Sequence, residues 1–243
     1  MKFLIPPAKE MRAQGQGVPR ELSRPSQAIL DILAQASLNE LSQMLLLKPE
    51  AAEKEARRFL ALQDNQALSY PALRLFNGLM YRQIDRGLTE LDNEFISKHI
   101  YITTAFYGII NAQADIAQHR LDFNCKVKVD GQSLKNFWRP CYNAFLETIL
   151  QSEPVISLLS NEFESVFSPK LTKSLVRVLF QEEKDNQLKT HSTISKKGRG
   201  QLLNRVIKQK IDSIEDLKAL EFLGFTYRPL LSSDHRLVFV KST

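Results

Sequence analysis

Cysteine and histidine are scarce in this chain of 243 residues, which has two cysteines and four histidines. Cys125 and Cys141 are too few to form the disulfide framework of a small secreted protein. The histidines are isolated, and the sequence contains neither a Glu-x-x-His nor a Cys-x-x-Cys pair, which are ligand spacings of di-iron and zinc sites. We therefore expect no metal site and no cofactor, and we interpret both cysteines as packing residues.

Long apolar segments are also absent. The first apolar stretch ends at Pro6 and Pro7, which makes it too short for a signal peptide, and no later stretch approaches a membrane span. Hydrophobic residues make up 43% and charged residues 25% of the chain, as in an ordinary globular domain. We expect a cytoplasmic protein with no membrane partner, folded as a single domain over residues 1–243. Its oligomeric state is open, with a monomer favoured.

Established catalytic motifs are missing as well. The sequence has no Walker loop, no dinucleotide fingerprint, no nucleophile elbow and no family-specific cysteine motif. Whether the protein is an enzyme therefore stays open, and a binding protein is favoured.

Positive charge is present, and it is concentrated. The chain carries a net charge of +6, yet residues 184–210 contain eight lysines and arginines against one acid, a net charge of +7. The rest of the chain is consequently close to neutral, at −1. A basic segment on a neutral body is typical of a site for a polyanion, because lysine and arginine release counterions from phosphates.

Within that segment, residues 195–200 combine cations with two glycines and precede a helical pattern of apolar residues. We predict a loop here that holds phosphate with Lys196, Lys197 and Arg199 near the amino end of the following helix. The apolar residues of that helix share one face, which leaves Arg205 on the other. The alternative interpretation is a solvated basic loop without a ligand.

A second candidate site lies at residues 160–163, directly after an apolar stretch that we predict to be a buried strand. The carboxyl ends of parallel strands are common ligand positions, so Asn161 and Glu162 are candidate polar residues of a cleft. Ser160 or Asn161 would equally serve as a helix cap. From the residues alone we favour the cap.

The pattern of the whole chain indicates an α/β fold with helices on both faces of a mixed sheet. We predict strands near Phe3, Val155, Val178, Tyr227 and Val238, the last two forming a carboxyl-terminal hairpin. Capping signals predict helices over residues 26–33 and 37–47, a first-turn proline predicts one over 50–63, and another is expected after residue 133.

Several segments, taken in order, resemble the bacterial YaaA peroxide-stress family. Each is weak alone, but together they span nearly the whole chain with similar intervals. They lie at residues 2–9, 76–81, 106–108 with 120–122, 137–138, 159–163 and 196–200. The resemblance implies a role in limiting iron-dependent damage during peroxide stress.

The resemblance also implies DNA binding through a positively charged cleft and a helix-hairpin-helix element. It implies that Lys196, Lys197 and Arg199 form a functional cluster and that Asn161 and Glu162 are cleft residues. We predict that the residues that bind phosphate are Lys9, Arg120, Lys196, Lys197, Arg199 and Arg205. In the segment that resembles the family's hairpin, residues 104–112, this chain lacks a glycine, an arginine and a proline.

Two hypotheses follow from the sequence. The first is a stress protein that binds DNA or another nucleic acid with little sequence preference. The alternative is an enzyme acting on a nucleotide or nucleic acid, with Arg120, Asn161 and Glu162 around a phosphate. The enzyme hypothesis depends on whether Arg120, Glu162, Lys197 and Arg199 line one cleft.

Overall fold

The computed structural model describes residues 1–185 and 187–242. The helices of this part of the chain are α1 (Arg24–Gln35), α2 (Leu38–Leu45), α3 (Pro49–Gln63), α4 (Ala72–Leu75), α5 (Glu90–His99), α6 (Leu134–Leu150), α7 (Asn161–Glu164), α8 (Pro169–Thr172), α9 (Ser192–Gln209) and α10 (Ile214–Lys218). The strands are β1 (Lys2–Ile5), β2 (Ser69–Pro71), β3 (Ile100–Thr104), β4 (Gly108–Asn111), β5 (Asp115–Ala117), β6 (Lys128–Val129), β7 (Gln132–Ser133), β8 (Val155–Ser157), β9 (Val176–Lys184), β10 (Gln187–Lys189), β11 (Phe225–Tyr227) and β12 (Arg236–Ser242). Short 3₁₀ turns span Tyr81–Gln83 and Pro229–Leu231.

A mixed sheet organises these elements, as the sequence predicts. Its order is β11-β12-β9-β8-β1-β3-β4, and β10 pairs with the far end of β9. The central strands β12, β9, β8, β1 and β3 run parallel, whereas β4, β10 and β11 are antiparallel to their neighbours. All five predicted strands belong to this sheet, and β11 and β12 form the predicted carboxyl-terminal hairpin.

Two hydrophobic cores lie on opposite faces of the sheet. Side chains alternate along a strand, so Phe3 and Ile5 enter one core and Leu4 enters the other. Helices α5 and α9 cover the first face, and α1, α3 and α6 cover the second. Helices on both faces explain why the central strands bury apolar residues on both sides of the sheet.

Local signals account for several element ends. Ser37 and Glu40 form the predicted capping box of α2, and Asp130 and Gly131 occupy the turn between β6 and β7 with φ of 49° and 77°. One predicted end is wrong. Helix α1, predicted to begin at Ser26, is capped by Ser23 instead, and Ser26 lies buried inside the helix.

The segment that resembles the family's hairpin forms the β3–β4 hairpin, and its turn is buried. Ala105 and Phe106 are inaccessible to solvent, and the indole Nε1 of Trp138 donates a hydrogen bond of 2.9 Å to the Ala105 carbonyl. Gly108 has φ of 74° and packs against the Trp138 ring, where a Cβ would collide. Ala105 is not in the left-handed region, so alanine is compatible with this turn. The turn therefore packs beneath α6 with Ala105 and Phe106 facing the core.

Candidate functional site

A cavity of about 430 Å³ opens where loops from distant parts of the chain meet the first half of α9. Strands β1 and β8 are parallel neighbours, so the segments that follow them emerge at the same edge of the sheet. We call this space the α9 cavity. Its wall comprises Pro6, Pro7, Ala8, Lys9, Glu10, Phe76, Gly78, Leu79, Met80, Tyr81, Arg82, His119, Arg120, Leu121, Asp122, Ser160, Glu162, Phe163, Thr193, Lys196 and Arg199.

Helix α9 begins earlier than the sequence predicts. Residues 195–200 lie inside the helix, so the predicted glycine-containing phosphate loop is wrong. Gly198 is buried against the Phe180 ring and Gly200 against the Met80 carbonyl, and a Cβ at either position would collide with these groups. The glycines therefore allow α9 to pack closely on the protein body.

The helical spacing decides which cations of residues 196–199 face the cavity. Lys196 and Arg199 are three residues apart and share one side of α9. Both line the cavity, whereas Lys197 lies outside its wall and is exposed. Arg205 is likewise exposed and outside the wall.

Arg199 has an unsatisfied donor beside the cavity. Its Nε is buried and has no hydrogen-bond partner among the described residues. Burial lowers the pKa of the Arg199 guanidinium, although an arginine stays charged at neutral pH. A buried donor without a partner is unfavourable, so an anion that accepts this hydrogen bond would be stabilised.

Glu162 supplies a half-buried carboxyl to the same wall. Its Oε1 accepts a hydrogen bond of 3.0 Å from the Phe123 backbone N–H. Burial, and after it the charge of Asp122, raise the pKa of Glu162. Asp122 in turn pairs with Lys9 at 2.8 Å. Glu162 is therefore a carboxyl whose neutral form is favoured relative to a carboxyl in water.

The preferred interpretation of Ser160 and Asn161 as side-chain caps is not what the structure shows. Ser160 occupies the N-cap position of α7, but its side chain makes no cap hydrogen bond. Asn161 is exposed and lies outside the cavity wall. Glu164 lies three residues after Asn161, at capping-box spacing, but it binds Arg177 at 2.5 Å and Ser157 at 2.9 Å instead.

His119 is a cavity residue to which the sequence assigns no role. The ring is buried, and its Nδ1 lies 2.9 Å from the Ala117 carbonyl oxygen. Burial lowers the pKa of His119 to about 4, so the ring is neutral at physiological pH. A carbonyl oxygen can only accept, which places the proton on Nδ1 and leaves Nε2 as an acceptor. An isolated histidine in a loop carries no sequence signal for such a position.

Charges of both signs line the α9 cavity. Arg82 pairs with Glu10 at 3.0 Å, and Lys9 pairs with Asp122. Arg120, Lys196 and Arg199 form no ion pair within residues 1–185 and 187–242. These three cations come from two distant segments, and they are the charges left available for an anion.

Part of the basic segment has a structural use. Lys208 lies 3.0 Å from both Asp85 and Asp92, and Lys210 also pairs with Asp92. These contacts join the end of α9 to α5 and to the loop before it. The count of eight cations in residues 184–210 therefore overstates the charge that is free to bind a ligand.

No group of three or more His, Cys, Asp or Glu side chains in residues 1–185 and 187–242 is arranged to hold a metal ion. No helix in the same ranges has the length and apolar character needed to cross a membrane.

Comparisons with known proteins identify the family. The family described as "Peroxide stress protein YaaA" matches residues 1–231. UPF0246 protein str1967 of Streptococcus thermophilus (strain CNRZ 1066) is 50% identical, and UPF0246 protein MGAS10750_Spy1880 of Streptococcus pyogenes serotype M4 is 46% identical. Each alignment covers 99% of this chain and 98% of the relative. The resemblance seen in the sequence is thereby confirmed, and the chain belongs to the YaaA family of peroxide stress proteins.

Proposed function

We propose that this protein is a cytoplasmic component of the peroxide stress response that binds nucleic acid at the α9 cavity. The observation that supports the proposal best is the convergence of Arg120, Lys196 and Arg199 on one opening without ion-pair partners among the described residues. Cations held together in this way favour a ligand that carries several phosphates.

Nucleic acid suits this arrangement better than a single small anion does. Arg120 and Lys196 come from different segments of the wall, so a chain of phosphates can contact both while Arg199 receives a group inside the cavity. Contacts of this kind are made to the backbone and carry little sequence information. We therefore propose sequence-tolerant binding, with DNA as the principal ligand.

Membership of a family of peroxide stress proteins supports a role for this binding during peroxide stress. We propose that the protein limits iron-dependent damage at the nucleic acid itself, by occupying it, rather than by storing iron. This proposal uses only the cationic side chains that face the cavity and requires no bound metal.

Binding of a labelled duplex at several salt concentrations tests the proposal. The logarithm of the affinity, measured by fluorescence anisotropy, should fall steeply and linearly with the logarithm of the salt concentration. Each phosphate contact contributes about 0.9 to this slope on duplex DNA. A protein that binds no duplex, hairpin or single strand at low salt would contradict the proposal.

A second candidate function is an enzyme acting on a nucleotide or nucleic acid in the same cavity. Glu162 with a raised pKa and a neutral His119 with a free acceptor nitrogen line one wall. Titratable side chains whose pKa values are shifted by burial and that line one cavity are typical of sites of acid–base catalysis. Incubation with nucleotides and oligonucleotides, followed by mass spectrometry, should reveal a product if this candidate is correct and none if it is wrong.

A further inference from the structure

We infer that the α9 cavity is a recognition site for a single nucleotide unit, with its phosphate on Arg199 and Lys196 and its ring among the apolar residues of the wall. The inference rests on the proposed function because it assigns a ligand unit to the same site. It goes further by naming what enters the cavity and which side chains hold each part of it.

The size of the cavity limits what can enter. A volume of about 430 Å³ lies within the range of about 300–1,000 Å³ that is usual for small-molecule sites. A duplex cannot enter such a space, and a bare phosphate would leave most of it unfilled. One nucleotide, with a planar ring joined to a phosphate, is a ligand of the right scale.

The wall divides into an apolar part and a cationic part. Phe76, Met80 and Phe163 are buried side chains of the wall, and Leu79 lies beside them with partial exposure. A flat ring gains from burial against such side chains. The cations Lys196 and Arg199 lie on α9, so the two kinds of surface come from different elements.

Arg199 is the residue that points most directly to an anion. Its Nε is a buried donor without a partner among the described residues, and a phosphate oxygen would accept this hydrogen bond. Guanidinium groups bind phosphate through two parallel hydrogen bonds, which a lysine ammonium cannot reproduce. A charge-assisted hydrogen bond made at this depth is stronger than one made in water.

Glu162 and His119 provide groups that suit the polar edge of a ring. Nucleobases carry hydrogen-bond donors and acceptors on one edge, and enzymes that hold a single base read that edge with side chains. His119 offers an acceptor at Nε2 because its Nδ1 donates to the Ala117 carbonyl. Glu162 keeps one oxygen on the Phe123 N–H and has a second oxygen for a ligand.

Calorimetric titration with the four deoxynucleoside 5′-monophosphates tests the inference, with inorganic phosphate and unphosphorylated nucleosides as comparison ligands. We expect one nucleotide per chain, bound at least about tenfold more tightly than inorganic phosphate, because the ring adds apolar burial. Binding of all four nucleotides no tighter than inorganic phosphate would overturn the inference.

Two variants locate the ligand. Arg199→Lys keeps the charge but loses the planar fork, and should weaken nucleotide binding about tenfold or more. Leu79→Trp fills the apolar part of the cavity from a partly exposed position, and should abolish nucleotide binding while inorganic phosphate still binds. Lys197→Ala, on α9 but outside the wall, should leave nucleotide affinity unchanged. Unchanged nucleotide binding by Leu79→Trp would overturn the inference even if Arg199→Lys fails to fold.

The same titrations separate this inference from the proposed function. Duplex binding by a protein that binds no nucleotide would refute the inference and leave nucleic-acid binding standing. Nucleotide binding by a protein that binds no DNA would support the inference and refute the proposed function. Competition between a nucleotide and a labelled oligonucleotide would support both.

Discussion

Lys208 Nζ lies 3.0 Å from Asp92 Oδ2, a contact between residues that are 116 positions apart in the chain. Asp92 also binds Lys210 and accepts the backbone N–H of Thr89 at 2.9 Å. Hydrogen bonds from Lys210 and Thr89 hold the pKa of Asp92 far below its usual value. This carboxylate therefore joins α5 to the end of α9, the helix that carries two cations of the cavity.

Asp92→Asn should destabilise the protein by about 1–3 kcal/mol, because it removes a charged partner of two lysines and weakens a helix cap. A carboxyl whose pKa is depressed by folding stabilises the protein above the pKa of its unfolded form. That stabilisation is lost as pH falls below about 4. Thermal melting of the wild type should show this acid-side loss, and the variant should show less of it.

Glu90→Gln is the matched control for that variant, because Glu90 is an exposed carboxyl in the first turn of the same helix. Its melting temperature should remain close to that of the wild type. Equal effects of the two substitutions would refute the structural role given to Asp92.

Gly200→Ala should destabilise the protein although alanine favours helices. The added Cβ would collide with the Met80 carbonyl, and overpacking of this kind costs about 1–3 kcal/mol. Gly87→Ala is the comparison, since its Cβ would meet only ordinary contacts. Chemical denaturation should separate the two variants, and a Gly200→Ala protein as stable as the wild type would show that close packing of α9 is not required.

Glu162→Gln should make the stability of the protein less dependent on pH between pH 4.5 and 7.5. Folding raises the pKa of Glu162, so the native state binds its proton more tightly and loses stability as pH rises above about 4.5. An amide oxygen can still accept the Phe123 N–H, and it carries no charge that must be buried. Between pH 4.5 and 7.5, the melting temperature should fall less steeply with pH for the variant than for the wild type. The same dependence of melting temperature on pH in both proteins would contradict the burial assigned to Glu162.

Cys125 should be nearly inert toward alkylating reagents and peroxide at neutral pH. Burial raises the pKa of its thiol to about 11, which lowers the reactive thiolate fraction about 100-fold relative to a free cysteine. Cys141 is exposed and should react first with iodoacetamide in a time course followed by mass spectrometry. Faster labelling of Cys125 than of Cys141 in the folded protein would contradict this account.

The parts of the fold that local chemistry determines were predictable. The Ser37–Glu40 capping box and the Asp130–Gly131 turn depend on neighbouring residues alone. Continuous apolar stretches such as the one at β8 indicate a sheet that is covered on both faces. The prediction of a loop at residues 195–200 was wrong because a glycine is compatible both with a loop and with a helix in close contact with its neighbours. Only the position of Met80 and Phe180 decides between these uses.

Which side chains meet at the candidate site was predictable only in part. One cavity is lined by Lys9, Arg120, Glu162, Lys196 and Arg199. The helix places Lys196 in the wall and Lys197 outside it, and a prediction of a loop for these residues cannot distinguish the two lysines. The charge of the basic segment, counted from the sequence, also included Lys208 and Lys210, which form ion pairs with Asp92 in the folded protein. Pairing across more than a hundred residues leaves no trace in local sequence.

The central claim is that nucleic acid binds at the α9 cavity, and adjacent lysines provide its most direct test. The salt dependence of duplex affinity should be measured for the wild type, Lys196→Ala and Lys197→Ala. Because only Lys196 lines the cavity, its substitution should lower the slope of log affinity against log salt by about 0.9. Lys197→Ala removes the same charge from the exposed side of the helix and should leave the slope unchanged. Equal slopes for the two variants, both folded, would contradict binding at this cavity.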